Sequence, residues 1–213
     1  LHYPLRRQRQ MCIRDSDNIM KGYYKNPEAN AEVFDGDWFK TGDLGRIDED
    51  GYIHITGRKK EIYVLSGGKN VAPLVVEETM KSIPVISQVF LVGDGRKFCS
   101  ALVTLDVGVI LRDNLGMNAD KVPRDPMEQI EELESRGHKL SDFVESEEVR
   151  SDIESQISVL NKRFMNPEQI KKFTILPRDL NIDSGELTPT LKIRRKQIRE
   201  NWADEIEAMY SGA

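Results

Sequence analysis

Two apolar runs joined by a short glycine-containing segment constrain the fold of this chain more than any other feature. The runs extend from Val85 to Val92 and from Ser100 to Leu105, and residues 93–97 (GDGRK) connect them. Apolar runs of this length, bounded by turn residues, are typical of strands, and a short glycine-containing connection brings two such strands together. The sequence therefore predicts a β-hairpin in this region.

Helical periodicity appears on both sides of the hairpin. Pro73 is expected to open a helix that runs through Met80 and Lys81, because proline suits a first turn where its missing N–H is no loss. Residues 106–145 are charged and are interpreted as a helical insertion that contains a C-terminal cap at Gly137. Two apolar stripes at helical spacing then predict two core-facing helices: Val149, Ile153, Ile157, Leu160 and Phe164 in the first, and Ile198, Trp202, Ile206 and Met209 in a closing helix.

Short strand-like segments precede these elements. Asp35-Gly36 and residues 48–51 (DEDG) are turn signals, and Tyr52 to Thr56 shows the alternation of a half-buried strand. We interpret this part as a small antiparallel β unit. Farther along the chain, Ile170 to Leu176 is expected to supply another strand and residues 183–185 another turn.

The predicted fold class is α+β, with three parts along the chain. Residues 1–16 show neither helical nor strand periodicity and are expected to be an extraneous or disordered leader. Residues 17–59 form the β-rich part. The composition shifts after Gly57, so an α+β domain with the helical insertion is predicted at residues 60–213.

Composition excludes several classes of protein. The chain has 213 residues, of which 38% are hydrophobic, and its net charge is -5, from 31 basic and 36 acidic side chains. No run of about 18 apolar residues predicts a membrane span, and no overall positive charge favours nucleic acid. Cys12 and Cys99 are far apart, which suggests neither a disulfide framework nor a structural zinc site. A cytoplasmic protein is the simplest interpretation.

Polar residues in the loops are the candidates for a ligand site. Asp43, between two predicted hairpins, is able to accept hydrogen bonds from a ribose diol, although a turn aspartate that binds its own backbone is an open alternative. Arg58 offers a guanidinium fork to ribose or phosphate, or is an ordinary surface arginine. Ser66-Gly67-Gly68-Lys69 lacks the GxxxxGK[ST] spacing of a nucleotide-binding loop, but its glycines permit close approach of a ligand to the backbone.

A basic cluster precedes the closing helix. Residues 191–196 (LKIRRK) place several cations where the helix dipole disfavours positive charge, so an anionic partner is one explanation. A solvated helix start balanced by the acidic residues that follow is the other. The histidines and carboxylates have neither the spacing of a catalytic triad nor the apolar setting of a tuned acid–base pair.

Four ordered motifs together resemble the C-terminal part of an adenylate-forming acyl-CoA synthetase. They are MKGYYKNPE (20–28), WFKTGDLG (38–45), GRKKE (57–61) with NVAP (70–73), and LTPTLKIRR (187–195). The helical insertion and the last motif most resemble bacterial long-chain fatty acid CoA ligases. The resemblance implies the acyl-adenylate-forming fold, with a mobile C-terminal domain, and covers the chain from about residue 17.

The resemblance also implies a role for each candidate residue. Lys192 matches the lysine that approaches the carboxylate and the α-phosphate during adenylation, and Asp43 and Arg58 match residues that hold the ribose of ATP or AMP. Lys60 matches the hinge, and the loop formed by Ser66, Gly67, Gly68 and Lys69 would line the pantetheine channel of CoA. Tyr63 and Val64 depart from relatives that carry a lysine after the hinge.

The implied reaction converts a fatty acid, ATP and CoA into acyl-CoA, AMP and pyrophosphate, with Mg²⁺ as a cofactor. The family's phosphate loop, adenine-binding segment and acyl pocket precede the residues matched here, so we expect a fragment that is inactive without its N-terminal domain. Peripheral contact with a membrane is compatible with this interpretation. Two alternatives are an aryl- or amino-acid adenylating enzyme that loads a carrier protein, and a non-catalytic binding module that uses the basic cluster.

Overall fold

The protein backbone divides into two units in the computed structural model, which describes residues 12–14, 20–36 and 38–211. Unit 1 comprises Leu1–Tyr63 with Ala72–Val75, and unit 2 comprises Val64–Val71 with Val76–Ala213. The expected leader at residues 1–16 lies outside the described residues, except for a strand at Cys12–Arg14. The predicted boundary at residue 60 stays a prediction.

Unit 1 consists mainly of short antiparallel strands. Its elements are β1 (Cys12–Arg14), α1 (Pro27–Val33), β2 (Phe34–Asp35), β3 (Trp38–Lys40), β4 (Asp43–Ile47) and β5 (Ile53–Arg58). Three strands form a sheet in the order β1-β3-β2, and β4 pairs with β5. The predicted antiparallel β unit is thus confirmed.

The predicted turn between β4 and β5 is stabilised by the Asp48 carboxylate. It accepts hydrogen bonds from the backbone N–H groups of Asp50 and Tyr52 at 3.1 and 2.8 Å, and Nε2 of His54 lies 2.6 Å away. The His54 hydrogen bond is the main reason why the pKa of Asp48 lies below its ordinary value. Beyond this turn the pairing shifts by one residue between Leu44 and Gly45, and this shift places Asp43 opposite Arg58.

Helix α1 was not among the elements predicted from the sequence. The Asn26 side chain accepts a hydrogen bond from the Ala29 N–H at 3.1 Å, and Pro27 occupies the first turn. A side-chain acceptor followed by proline is a recognised signal for a helix start, and it is present in the sequence at this point.

Four short elements follow β5 along the chain. Its elements are a 3-10 turn (Lys59–Glu61), the paired strands β6 (Tyr63–Val64) and β7 (Asn70–Val71), and helix α2 (Pro73–Met80). Helix α2 begins at the predicted residue, Pro73, and ends at Met80, one residue before the predicted end at Lys81.

The core of unit 2 is a three-stranded mixed sheet. It contains β8 (Ile86–Val92), β9 (Cys99–Leu105) and β10 (Ile170–Ile175) in the order β10-β9-β8. The pairing of β8 with β9 is antiparallel, which confirms the predicted hairpin, and β10 pairs with β9 in parallel. All seven residues of the central strand β9 are buried.

The crossover from β9 to β10 contains the predicted helical insertion. Its helices are α3 (Val107–Val109), α4 (Pro126–Ser135), α5 (Leu140–Val144) and α6 (Glu147–Asn161), with a π-helical turn at Ile110–Asn114 and a 3-10 turn at Ala119–Lys121. Parallel strands need a long connection of this kind. The first predicted apolar stripe is buried in α6 from Val149 to Leu160, but Phe164 lies beyond the end of that helix.

The predicted closing helix is in fact two helices, α7 (Arg195–Asn201) and α8 (Ala203–Tyr210). The helix breaks at Trp202, whose φ and ψ are -116° and 32°. The indole N–H of Trp202 donates a hydrogen bond to a buried carboxylate, that of Glu186. All four residues of the predicted stripe nevertheless pack in one core cluster with Phe90, Val92, Leu102, Leu176, Leu180 and Leu187.

In the described ranges, no helix combines the length and the hydropathy that a membrane crossing requires.

Candidate functional site

Asp43 and Arg58 form an ion pair in unit 1. Asp43 begins β4 and Arg58 ends β5, and the two are cross-strand partners. Nε of Arg58 lies 3.2 Å from Oδ1 of Asp43, with side chains that are 62% and 25% exposed. The Asp43 N–H donates to Oγ1 of Thr41 at 3.1 Å. The structure thus brings these two candidate residues together, and the Asp43 carboxylate binds the arginine.

Lys60 lies in the 3-10 turn directly after this ion pair. Its Nζ is 3.8 Å from Oε1 of Glu32, and both side chains are largely exposed, at 88% and 71%. An exposed pair at this distance contributes little to stability. Local contacts therefore do not fix the Lys60 side chain.

The candidate loop Ser66–Lys69 is a tight turn between β6 and β7. The Leu65 N–H donates to the Lys69 carbonyl at 2.9 Å, and the Gly68 N–H donates to the Leu65 carbonyl at 2.8 Å. Gly68 has φ 73°, a conformation that favours glycine. At Gly67 an added Cβ would meet nothing within 4 Å, so packing inside the structure does not require a glycine there.

The turn between β8 and β9 supports this loop within unit 2. The Ser66 N–H donates to the Arg96 carbonyl and the Gly95 N–H donates to the Val64 carbonyl, both at 2.9 Å. The Arg96 side chain in turn pairs with Glu207 of α8 and lies 4.8 Å from the Tyr210 ring centroid. The loop is exposed but its backbone is well anchored.

Lys192 lies near the tip of a short hairpin in unit 2, which we call the lysine hairpin (residues 186–194). Leu187 and Ile193 form an antiparallel bridge, the Thr188 N–H donates to the Lys192 carbonyl at 2.9 Å, and the Lys192 N–H donates to Oγ1 of Thr188 at 3.0 Å. The neighbouring Leu191 has φ 58°, which is unusual for a residue with a side chain.

The Lys192 side chain is exposed. No acidic side chain in the described part of the chain lies within ion-pair distance of its ammonium group. The backbone of this lysine is therefore fixed, whereas its charge remains available to a ligand.

The base of the lysine hairpin rests on Glu186, whose side chain is 0% exposed. The carboxylate accepts hydrogen bonds from both terminal nitrogens of Arg178 at 2.7 and 2.9 Å, from the Asn201 amide at 3.1 Å and from the Trp202 indole at 2.8 Å. Burial alone would raise the pKa of Glu186. The hydrogen bonds from Arg178, Asn201 and the Asn181 backbone outweigh this effect, so its pKa lies below the ordinary value.

A second buried carboxylate neutralises part of the basic cluster. Glu77 of α2 accepts two hydrogen bonds from the Arg195 guanidinium, both at 2.7 Å, and the two side chains are 3% and 15% exposed. Lys196 lies 3.7 Å from Glu200. Of the cations in the cluster, Arg195 thus has a buried acidic partner and Lys196 an exposed one.

Sequence reasoning did not identify Glu77 and Glu186. Each is one of many glutamates in the sequence, and its arginine partner is not marked by helical or strand spacing. A glutamate directly before LTPTLKIRR, in a segment that must close a hairpin, was the one local signal for Glu186.

Comparison with known proteins shows the family of this chain. The chain belongs to the family described as AMP-binding enzyme C-terminal domain, whose profile matches residues 60–142 and 133–213. The chain is 40% identical over 195 residues to the long-chain-fatty-acid–CoA ligase FadD15 of Mycobacterium tuberculosis, covering 91% of this chain and 30% of that protein. It is 36% identical over 201 residues to the long-chain-fatty-acid–CoA ligase ACSBG2 of Gallus gallus, covering 92% of this chain and 26% of that protein.

Solved structures agree on the fold. The A domain of carboxylic acid reductase from Segniliparus rugosus, in complex with AMP and a carboxylic acid, superposes with a TM-score of 0.66 at 24% identity, covering 95% of this chain and 28% of that chain. The α+β fold and the resemblance to adenylate-forming enzymes are thus confirmed. The chain spans 30% or less of the length of the relatives described here.

Proposed function

We propose that this chain is the C-terminal part of an ATP-dependent long-chain acyl-CoA synthetase. The observation that carries the proposal is the presentation of Lys192, an exposed ammonium group on a hairpin with a fixed backbone, in a chain that belongs to the AMP-binding enzyme C-terminal domain family. The choice of a fatty acid as substrate is supported by the names of the curated relatives.

Lys192 would act in the adenylation half-reaction. A carboxylate oxygen of the fatty acid attacks the α-phosphorus of ATP, the bond to the bridging oxygen breaks, and pyrophosphate leaves. Two anions approach each other in this step, so a positioned ammonium group stabilises the transition state electrostatically. The CoA thiolate then attacks the acyl carbonyl carbon of the adenylate, and AMP leaves with the bonding electrons.

Asp43 and Arg58 would hold the ribose of the nucleotide. Arg58 contacts Oδ1 of Asp43, and Oδ2 is the oxygen that we assign to the ribose hydroxyls. The arginine would keep the carboxylate oriented, as charge-assisted pairs do.

Lys60 would be the hinge between the two half-reactions, and Ser66, Gly67, Gly68 and Lys69 would line the pantetheine channel. The exposed side chain of Lys60 and the anchored backbone of the loop support these roles. Rotation at such a hinge would replace Lys192 by the loop in the active site. The absence of any packing reason for Gly67 is compatible with a ligand that passes close to the backbone.

Magnesium would arrive with the phosphates of ATP. Within the ranges that the structure describes, no three His, Cys, Asp or Glu side chains are grouped as a metal site requires. We therefore assign no residue to the ion and no step to its chemistry. A cytoplasmic location and peripheral membrane contact stay predictions.

The experiment uses the full-length protein that carries this chain. The unmodified protein should catalyse fatty-acid-dependent exchange of pyrophosphate into ATP and should form acyl-CoA. Lys192→Ala should lower the adenylation rate by about 100- to 1000-fold, because it removes one electrostatic contact made in the transition state. Thioester formation from a supplied acyl-adenylate should change little.

Lys196→Ala is the matched control, because Lys196 is 91% exposed and its charge faces Glu200. We expect it to leave both half-reactions near the unmodified rates. Equal loss of both half-reactions in Lys192→Ala would contradict the assigned role. Exchange without CoA thioester formation, but with loading of a carrier protein, would instead favour the carrier-protein alternative. The 213-residue chain alone should form no acyl-CoA.

A further inference from the structure

Glu186 joins three parts of unit 2 at the base of the lysine hairpin. Its carboxylate binds Arg178 from the segment after β10, and Asn201 and Trp202 from the junction between α7 and α8. Its backbone carbonyl accepts a hydrogen bond from the Arg194 N–H at 2.8 Å, which closes the hairpin. One residue therefore links the core to both strands of the lysine hairpin.

We propose that Glu186 is a positioning residue, which holds the lysine hairpin in one orientation so that Lys192 is presented in a fixed place. This inference rests on the proposed function for its catalytic consequence, whereas its structural consequence does not depend on any activity.

The chemistry of the surrounding groups favours a carboxylate over any other side chain. Arg178, Asn201 and Trp202 all approach Glu186 with N–H donors, and the Asn181 N–H adds another at 3.2 Å. An ionised carboxylate is acceptor-only and suits such a set, whereas the amide group of glutamine would turn N–H donors toward N–H donors. Glu186→Gln should therefore loosen this junction at nearly constant side-chain volume.

The first test is hydrogen exchange, read by mass spectrometry at peptide resolution in the full-length protein. Glu186→Gln should accelerate exchange in the peptide that contains residues 186–194 by about tenfold or more, because hydrogen bonds to an ionised group stabilise by more than one factor of ten. Exchange in the β9 peptide should not change. Unchanged exchange in both peptides, or equal acceleration in both, would overturn the proposal.

The second test is the kinetics of each half-reaction. Glu186→Gln should lower kcat for adenylation by about 10- to 100-fold, as expected when a reacting group is slightly displaced, while KM for ATP is unchanged. Thioester formation from a supplied acyl-adenylate should retain its rate. A loss shared by both half-reactions would overturn the positioning role.

Two further variants make these tests decisive. Glu132→Gln is the matched control, because Glu132 also pairs with an arginine, Arg136, at 2.8 Å, but at the C-terminal end of helix α4. It should change neither readout. If Glu186→Gln does not fold, Trp202→Phe keeps an aromatic ring in the core and removes only the indole donor, so it should shift both readouts in the same direction by a smaller factor.

An inactive unmodified protein would refute the proposed function but not this inference, because the hydrogen-exchange result would still decide whether Glu186 fixes the lysine hairpin. Normal activity of Glu186→Gln together with unchanged exchange would refute the inference alone.

Discussion

The buried pair between Glu77 and Arg195 provides the sharpest prediction about stability. We expect Glu77→Ala to lower the free energy of unfolding of unit 2 by about 3–5 kcal/mol. The substitution leaves the 15%-exposed Arg195 guanidinium without a carboxylate that lies 2.7 Å from two of its nitrogens. It also withdraws the acceptor that the Leu91 N–H contacts at 2.8 Å. Loss of this buried ion pair is therefore the dominant cost.

Tryptophan fluorescence offers a selective assay for unit 2. Trp202 is in this unit and is 8% exposed, whereas Trp38 belongs to unit 1. In a Trp38→Phe background, urea denaturation read at Trp202 reports the unfolding of its own surroundings. With a urea dependence of about 1–3 kcal/mol per M, the loss corresponds to a midpoint lowered by about 1–5 M.

The neighbouring glutamate on the same helix is the control. Glu78 is 63% exposed and lies 3.6 Å from Lys81, so Glu78→Ala should change the unfolding free energy by less than about 1 kcal/mol. The double variant Glu77→Leu with Arg195→Met should recover most of the lost stability, because an apolar pair removes both buried charges. The reasoning fails if Glu77→Ala costs no more than Glu78→Ala, or if its cost is unchanged in an Arg195→Met background.

Two further predictions concern single side chains of unit 2. Burial raises the pKa of the Cys99 thiol to about 11, against about 9 in the unfolded chain, so the free energy of unfolding should fall as the pH rises between these values. Cys99→Ala should flatten this part of the profile of unfolding free energy against pH, and an unchanged slope would contradict the prediction. Leu191 is 69% exposed and has φ 58°, a left-handed backbone conformation that strains any residue with a Cβ atom. The Leu191→Gly variant should therefore be more stable than Leu191→Ala by about 1 kcal/mol in the Trp202 assay. Equal stability of the two variants would contradict the expected strain.

The parts of the fold that the sequence predicted are those with strong local patterns. The β8–β9 hairpin is marked by two apolar runs, and helix α6 by its apolar stripe from Val149 to Leu160. The interruption of the closing helix at Trp202 was not predictable, because the apolar spacing continues across the break. A hydrogen bond to Glu186 is a tertiary contact, and periodicity carries no information about it.

The residues of the candidate site also differ in whether the sequence could identify them. Motif order identified Asp43 and Arg58 as candidates, and the β4–β5 register then placed them opposite each other. Glu77 and Glu186 could not be identified from the sequence, because a glutamate is expected to lie at the surface unless an arginine partner for it is known. The Arg195 partner is on a different helix, and the Arg178 partner is in an irregular segment.

The departures from local sequence rules are concentrated around Lys192. Within or next to the lysine hairpin, Arg195 and Lys196 begin helix α7, Leu191 adopts a left-handed backbone conformation, and the Glu186 carboxylate is fully buried. Conflicts of this kind lower stability and are expected mainly where function requires them. Next to this hairpin, Glu186 and Glu77 pair with Arg178 and Arg195, whereas no acidic side chain in the described ranges pairs with Lys192. The proposed role of Lys192 requires a fixed hairpin backbone and an exposed ammonium group, and the buried network beside the hairpin supplies the first of these, which is why we connect this network with that proposed role.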